Sequence, residues 1–167
     1  AIKTVFRQLL NQTPGYCVYC AEDPVAREVC GPHPLAVSYG WDRSFDFSAR
    51  ILDMRPDQSD FDVYQNGTLL GQVTLGIPGK HNVSNSLAAI ALATRVGVTF
   101  DAIRHALQTF RGARRRFEIR HLSERFKVID DYGHHPSEVA ATLATAEGLK
   151  PQRILCLFQP HRYSRTQ

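Results

Sequence analysis

The chain has 167 residues, of which 43% are apolar, and it carries a formal net charge of +4. This length suits one ordinary domain or pieces of two, with enough apolar residues for a sizeable core. No apolar run approaches the roughly 18 residues that span a bilayer, and the N-terminus lacks a signal-peptide pattern, so we expect a cytoplasmic protein without membrane contact. The mild positive charge favours anionic partners without indicating nucleic acid, because the basic residues are scattered except near residues 111–120.

Helix and strand signals alternate over the first forty residues. Apolar residues at helical spacing begin at Ile2, "YCVYC" predicts a buried strand, Asp23 and Pro24 are typical of a helix start, and "LAVSYG" predicts a second strand. This alternation predicts a parallel sheet with covering helices. The two cysteines of "CVYC" suit zinc or redox chemistry by spacing, but further zinc ligands are lacking nearby, and we interpret them as buried strand cysteines in a reducing compartment.

Longer strands are predicted over Phe45–Leu75. Asn66-Gly67 tolerates the positive φ values of a type I′ turn and therefore predicts a hairpin, whereas Arg55–Asp60 is predicted to be a loop. Two helices follow, and then a boundary at "RGARRRFE" opens a second, strand-rich section. The predicted elements from there are helices over Ser84–Val96 and from Thr99 to Phe110, strands over Phe117–Leu122 and Phe126–Ile129, a helix from Pro136 to Gly148, and a buried strand at "RILCLF".

The turn "DDYGHH" crowds carboxylates and imidazoles between a predicted strand and a predicted helix. That helix returns the chain to a strand at Ile154–Phe158, and parallel strands of such a unit end at the same edge of the sheet. We therefore expect the turn to meet "QPHRYSR", whose Arg162 and Arg165 suit phosphate or carboxylate. This predicts a site for an anionic ligand together with a ribose hydroxyl or a metal. In the alternative interpretation, Asp130 or Asp131 only caps the helix and the histidines are solvated.

Two further segments are candidates for ligand contact. "PGKHNVSN" is not a P-loop, because His81 follows the lysine where the motif requires Ser or Thr. Asn82 and Asn85 share a helix face and can bind the edge of a purine, although we expect one of them to cap the helix. The run Arg114–Arg116 leads into a predicted strand. Because side chains alternate between the two faces of a strand, neighbouring arginines should lie on opposite sides, with at least one pointing inward to a phosphate.

Four motifs, "PGKHNVSNSLAAIALA", "FRGARRRFE", "DDYGHHPSEVAATL" and "FQPHRYSRT", together resemble the Mur ligases of bacterial cell-wall synthesis. The resemblance implies an α/β fold: part of a central ATPase domain with a mixed sheet, then the first strand–helix–strand part of a Rossmann-like C-terminal domain. It divides the chain into residues 1–112, the latter part of the ATP-binding domain, and residues 113–167, the start of the C-terminal domain.

The resemblance also implies a reaction and its participants. Mur ligases use ATP and magnesium to phosphorylate a carboxylate, and an amine then attacks the resulting acyl phosphate. Within the family, the "PHRYSRT" element favours the members that join L-alanine to UDP-N-acetylmuramate. The implied site residues are Asn82 and Asn85 at the adenine with His81 beside them, Asp131 at the ribose, Arg116 at the terminal phosphate, and His134, Arg162 and Arg165 at the amino-acid carboxylate and the reacting muramyl end.

The chain also departs from the family pattern. The UDP-binding domain, the glycine-rich phosphate loop and the magnesium-holding glutamate and histidine are not in these 167 residues, so we expect a piece of a longer enzyme that is inactive alone and self-associates through exposed sheet edges. Alternatives are the related ligase that recycles a murein tripeptide, a non-catalytic nucleotide-binding module, and a metal-dependent hydrolase that uses Asp130, Asp131, His134 and His135.

Overall fold

The computed structural model describes residues 2–160, which form a mixed α/β structure. The elements over this range are α1 (Ile2–Asn11), β1 (Cys17–Cys20), α2 (Pro24–Cys30), β2 (Ala36–Gly40), β3 (Phe47–Met54), β4 (Ser59–Gln65), β5 (Thr68–Leu75), α3 (Lys80–Arg95), α4 (Phe100–Thr109), β6 (Glu118–Leu122), β7 (Lys127–Asp130) and α5 (Pro136–Gly148). No helix within this range is long and apolar enough to cross a bilayer.

The first five strands form one mixed sheet in the order β1-β2-β3-β4-β5. The pairs β1–β2 and β2–β3 are parallel, which confirms the parallel arrangement predicted for the first forty residues, whereas β3–β4 and β4–β5 are antiparallel. Within the described range β1 and β5 form the two edges of this sheet, and self-association through such edges stays a prediction.

Local sequence signals account for several element boundaries. Asp23 caps α2 by accepting hydrogen bonds from the amides of Val25 and Ala26, with Pro24 in the first turn. Asn66 and Gly67 adopt φ values of 50° and 77°, which confirms the predicted hairpin between β4 and β5.

The predicted loop between the third and fourth strands is shorter than expected. Ser59 and Asp60 belong to β4 and are buried, whereas the prediction placed them in a loop that began at Arg55. The Asp60 carboxylate accepts a hydrogen bond from the Thr74 hydroxyl on β5 and pairs with the Arg55 guanidinium. A polar residue can therefore continue this strand, because its buried charge has partners on two sides.

The core lies where α3 covers one face of the sheet. Its fully buried members include Phe47 and Phe61 from the sheet and Leu87 and Ile90 from α3. Helix α3 begins at Lys80, four residues before the predicted start, and its N-cap Gly79 adopts a φ of 109° that few other residues tolerate. The earlier start places the asparagines of "KHNVSN" in the first two turns of the helix.

The second section confirms its first two predicted strands and the predicted helix but not the last strand. The strands β6 and β7 pair antiparallel, and α5 begins at Pro136 as predicted. Residues 151–160 form neither helix nor strand, and Leu155 and Leu157 are 80% and 101% exposed, so the predicted buried strand at Ile154–Phe158 is wrong for this structure. A buried parallel strand needs hydrogen-bonding neighbours and apolar cover, and nothing in the described range supplies them.

Both cysteines of "CVYC" lie in β1, as the simpler interpretation predicted, but of the two only Cys17 is buried and Cys20 is partly exposed. Cys17 is buried in β1, and Cys17, Cys20, Cys30 and Cys156 are all free thiols. Burial and a hydrogen bond with Cys30 raise the pKa of the Cys17 thiol to about 11. This thiol is consequently protonated at neutral pH and is a poor nucleophile and metal ligand.

Candidate functional site

A cleft of about 780 Å³ lies between the N-terminal half of α3, the segment that follows α4, and the start of α5. Residues of three separate chain segments line it, and they include every nucleotide-contacting residue predicted within the described range: His81, Asn82, Asn85, Arg116 and Asp131. The two predicted arginines Arg162 and Arg165 lie outside the described residues. The five predicted residues that meet in the cleft are up to fifty positions apart in sequence.

The two asparagines differ in what they contact. The Asn82 Nδ2 donates a hydrogen bond of 2.7 Å to the carbonyl oxygen of Pro78, while Asn85 is exposed and makes no side-chain hydrogen bond among the described residues. The expectation that one of them caps α3 is wrong, since the N-cap is Gly79 and receives no side-chain hydrogen bond. The Asn82 side chain instead holds the loop before the helix, and both carboxamides remain within the cleft.

His81 is half-buried beside these residues. Burial lowers the pKa of its imidazole below the ordinary value of 6.5, and the Arg116 guanidinium lowers it further, whereas the Asp131 carboxylate opposes the shift. At neutral pH His81 is therefore uncharged, and its ring carries one N–H donor and one nitrogen acceptor.

Asp131 has a structural role that the sequence did not indicate. Its Oδ2 accepts a hydrogen bond of 2.8 Å from the backbone amide of Phe117, and its Oδ1 accepts one of 2.6 Å from the amide of Gly133. It does not cap α5, so the alternative interpretation of this turn is wrong for Asp131. The N-cap is His135, whose Nδ1 accepts from the amide of Ser137 at 3.3 Å.

The arginine run lies in a turn rather than a strand. Arg115 adopts a φ of 57°, and its Nε lies 3.3 Å from the Asp130 carboxylate with the guanidinium over the Tyr132 ring. Arg116 turns toward the cleft, where its Nη1 lies 3.5 Å from the Glu138 carboxylate. Arg115 and Arg116 thus contact different carboxylates in a turn, where the predicted alternation of strand side chains does not apply, and the contact of one of them with a phosphate stays a prediction.

Glu138 is a residue of this site that the sequence analysis missed. Its Oε2 accepts hydrogen bonds from the amides of His134 and His135 at 3.1 and 3.3 Å, which completes a capping box with the N-cap residue His135. An N-cap followed three residues later by Glu is the sequence signal that could have identified it.

His134 lies on the same turn, beside the cleft rather than in its wall. Its Nδ1 is 3.1 Å from the Tyr132 carbonyl oxygen and 3.8 Å from the Glu138 carboxylate. The Tyr132 carbonyl oxygen and the Glu138 carboxylate therefore both lie beside this imidazole on the turn that leads into α5.

A second cavity of about 470 Å³ adjoins the first and shares His81 with it. It lies between the start of α3 and the C-terminal half of α5, and the Lys80 Nζ lies 4.7 Å from the centre of the Trp41 ring in its wall. This separation is that of a cation–π contact, which orients the lysine along the cavity wall.

The described residues do not fit a metal centre. No group of three or more His, Cys, Asp or Glu side chains converges within residues 2–160. The carboxylates of the "DDYGHH" turn already have other partners, because Asp130 pairs with Arg115 and Asp131 accepts two backbone amides. The alternative of a metal-dependent hydrolase at this turn thus receives no support.

Comparisons with known proteins match both sections of the chain. Residues 1–93 match the profile described as Mur ligase middle domain, and residues 115–166 match the profile described as Mur ligase, glutamate ligase domain. The UDP-N-acetylmuramate–L-alanine ligase of Pelotomaculum thermopropionicum is 41% identical over 169 residues, which cover 99% of this chain and 37% of that protein. The ligase of the same name from Clostridium acetobutylicum is 40% identical, with coverages of 99% and 37%.

A solved structure supports the same relationship. The UDP-N-acetylmuramate–alanine ligase of Thermotoga maritima superimposes with a TM-score of 0.76 at 30% sequence identity, covering 88% of this chain and 33% of that one. The chain thus spans a little over a third of the length of the curated relatives that it matches.

Proposed function

The chain belongs to the Mur ligase family, and we propose that it is part of a longer enzyme that joins L-alanine to UDP-N-acetylmuramate at the expense of ATP, a step of peptidoglycan precursor synthesis. Relatives at 36–41% identity that carry the name of this activity support the proposal. The two profile matches also support a division near residues 112 and 113, with the ATP-binding part before it and the start of the C-terminal part after it.

The single observation that carries the proposal is the composition of the 780 Å³ cleft. Two carboxamides, an uncharged imidazole, a guanidinium and a carboxylate from three chain segments line it together. Its size lies within the range of about 300–1,000 Å³ that is common for small-molecule pockets. The two carboxamides suit the adenine with the His81 imidazole beside them, the carboxylate suits a ribose hydroxyl, and the guanidinium suits the terminal phosphate.

We assign the cleft residues to ATP as follows. Asn82 and Asn85 can donate to and accept from the edge of the adenine, because each carboxamide carries both kinds of group. Asp131 is the carboxylate for a ribose hydroxyl, since an ionised carboxylate retains lone pairs beyond those that its two amide donors use. Arg116 is the cation for the terminal phosphate, where a guanidinium binds two oxygens at once.

The chemistry that this arrangement serves has two steps. An oxygen of the muramyl carboxylate attacks the γ-phosphorus of ATP, ADP leaves, and an acyl phosphate forms; the amine of L-alanine then attacks the acyl carbon, and inorganic phosphate leaves with formation of the amide. Arg116 would stabilise the charge on the transferring phosphoryl oxygens. We assign His134, Arg162 and Arg165 to the amino-acid carboxylate and the reacting muramyl end. Magnesium, when bound, neutralises phosphate charge, and its protein ligands would come from outside this chain.

The test uses the longer enzyme that contains this chain, with ATP, UDP-N-acetylmuramate and free L-alanine as substrates. We expect Arg116→Ala to lower kcat by about 100-fold or more, as expected for loss of a group that stabilises transition-state charge. Arg114→Ala removes an exposed arginine of the same run and should leave kcat within about twofold. Ligation of a murein tripeptide in preference to L-alanine would instead favour the recycling ligase.

The 167-residue chain itself provides a second test. It should bind ATP weakly and form no ligation product, because the phosphate loop of the family lies outside it. Turnover of ATP with both substrates by this chain alone would contradict the proposal that it is one part of a longer catalytic unit.

A further inference from the structure

Glu138 connects two parts of the cleft that the sequence separates by 22 positions. One carboxylate oxygen, Oε1, lies 3.5 Å from the Arg116 Nη1, and the other, Oε2, accepts from the amides of His134 and His135. Both Arg116 and Glu138 line the cleft. A single side chain therefore contacts the arginine assigned to the terminal phosphate and the turn that carries His134.

The Glu138 carboxylate is charged in the conditions under which the protein works. The two backbone amides hold its pKa below the ordinary value of 4.5, and the Arg116 guanidinium adds to this shift, while burial opposes it only in part. The carboxylate thus keeps a full negative charge at neutral pH for its contact with the guanidinium.

The neighbouring carboxylates have other partners. Asp130 pairs with Arg115, and Asp131 accepts hydrogen bonds from the amides of Phe117 and Gly133. Within the described range, Arg116 forms its ion pair with Glu138. Glu138 is accordingly the carboxylate that the described structure places against the Arg116 guanidinium.

The geometry of the contact leaves Arg116 able to bind a phosphate. A guanidinium carries five N–H donors, and the ion pair with Glu138 involves Nη1 alone. An arginine held in one rotamer before the phosphate arrives loses less side-chain entropy on binding than a freely rotating one. An anchored guanidinium consequently binds a phosphoryl group better than an unanchored one.

We propose that Glu138 is a positioning residue of the ATP site: its Oε1 holds the Arg116 guanidinium toward the terminal phosphate, and its Oε2 fixes the turn that carries His134 at a constant distance from that guanidinium. This inference rests on the proposed function for the role of Arg116. It adds a residue outside the nucleotide-contacting set and accounts for the position of Glu138, the third residue of α5, in the wall of the cleft.

A purely structural role for Glu138, as part of the capping box of α5, predicts different behaviour. Glutamine retains an oxygen that accepts from the backbone amides, but it lacks the charge that holds Arg116. Glu138→Gln therefore separates the two roles, and Glu138→Asp keeps the charge on a side chain that is one methylene shorter. Glu147→Gln is the matched control, because Glu147 is an exposed carboxylate at the far end of the same helix.

The experiment measures kcat, the KM for each substrate and the dissociation constant for ATP in the longer enzyme. We expect Glu138→Gln to lower kcat and ATP affinity, with a combined effect of about tenfold or more, while the KM for L-alanine stays within about twofold. Glu138→Asp should restore part of the loss. Glu147→Gln should match the unmodified enzyme, and the melting temperature of Glu138→Gln should stay within a few degrees of it.

The decisive measurement is a double-mutant cycle with Arg116→Ala. If Glu138 acts through Arg116, Glu138→Gln should have no further effect on kcat or ATP affinity once the guanidinium is absent. The inference would be overturned if the losses in kcat and ATP affinity of the two single variants added up in the double variant. It would also be overturned if Glu138→Gln left both quantities unchanged, or if it lowered them only in proportion to a lower melting temperature. If the unmodified enzyme did not ligate L-alanine, but Glu138→Gln and Arg116→Ala were still coupled in their effects on ATP affinity, the result would refute the proposed function alone.

Discussion

The carboxylate of Asp131 accepts a hydrogen bond of 2.8 Å from the backbone amide of Phe117, fourteen residues earlier in the chain. Phe117 is buried and adopts a φ of 49°, a conformation that bulky residues seldom adopt. The contact stabilises this backbone conformation at the point where the chain leaves the arginine run and enters β6. The same carboxylate that we assign to the ribose therefore also shapes the segment that carries Arg116.

This double role predicts that substitutions of Asp131 affect both stability and ATP binding. Asp131→Ala should lower the free energy of unfolding by about 2 kcal/mol, because the amides of Phe117 and Gly133 both lose their acceptor. Asp131→Asn keeps one acceptor oxygen and should cost about half as much. Urea unfolding and ATP titration would measure the two effects. Asp57→Asn, an exposed loop carboxylate, is the control, and an Asp131→Ala protein of unchanged stability would contradict the prediction.

The two asparagines of the cleft should differ when each is replaced by alanine. Asn85→Ala should weaken ATP binding by about tenfold with little change in stability, since the Asn85 side chain makes no hydrogen bond in the described structure. Asn82→Ala should weaken binding and also lower the free energy of unfolding by about 1 kcal/mol, because the hydrogen bond to Pro78 is lost. Calorimetric ATP titration with thermal unfolding would separate the effects. Equal stability losses in both variants would show that the Pro78 contact has no role.

His81 should make stability depend on pH. Burial and Arg116 lower its pKa in the folded state below 6.5, so on acidification the unfolded chain takes up the proton first. The stabilising contribution of the neutral imidazole is complete above pH 6.5 and decreases as the pH falls through that value toward the folded pKa. Unfolding free energies between pH 8 and pH 5 would measure this loss.

The matched variants for this pH dependence are His81→Gln and His105→Gln. Replacement of His81 should reduce the decrease in the free energy of unfolding below pH 6.5. Replacement of the exposed His105 on α4 should leave the pH dependence of that free energy as in the unmodified protein. A curve for His81→Gln that is parallel to that of the unmodified protein would show that the half-buried imidazole is not the group responsible.

Gly79 should tolerate no side chain. Its φ is 109°, and a Cβ there would lie 2.9 Å from His81 Cε1 and 3.0 Å from the Thr145 hydroxyl of α5. Gly79→Ala should therefore lower the free energy of unfolding by about 1–2 kcal/mol or more and displace α5 from α3, which would weaken ATP binding. Gly148→Ala is the control, because a Cβ there meets no atom within 4 Å and should be neutral or slightly stabilising. Comparable melting temperatures for the two variants would contradict this expectation.

Secondary-structure predictions from the sequence are correct where the turn or capping signal lies within a few neighbouring residues. The hairpin at Asn66-Gly67, the cap at Asp23 and the start of α5 at Pro136 follow from turn and capping preferences that act between neighbours. The last strand failed because "RILCLF" has the composition of a buried strand, while strand formation depends on partners that the described residues do not supply.

The amino-acid sequence by itself determined most of the local elements, the family, and the candidate chemical groups of the cleft, because capping, turn and motif patterns are properties of adjacent residues. Only the tertiary structure decided how those groups are held: the hydrogen bonds of Asp131 to Phe117 and of Asn82 to Pro78, and the ion pair between Glu138 and Arg116. Two of these three contacts join residues that are distant in sequence, and no local pattern specifies which carboxylate meets which donor. Which carboxylate meets which donor depends on where the helices and the sheet place the backbone, and packing of the whole core determines that placement.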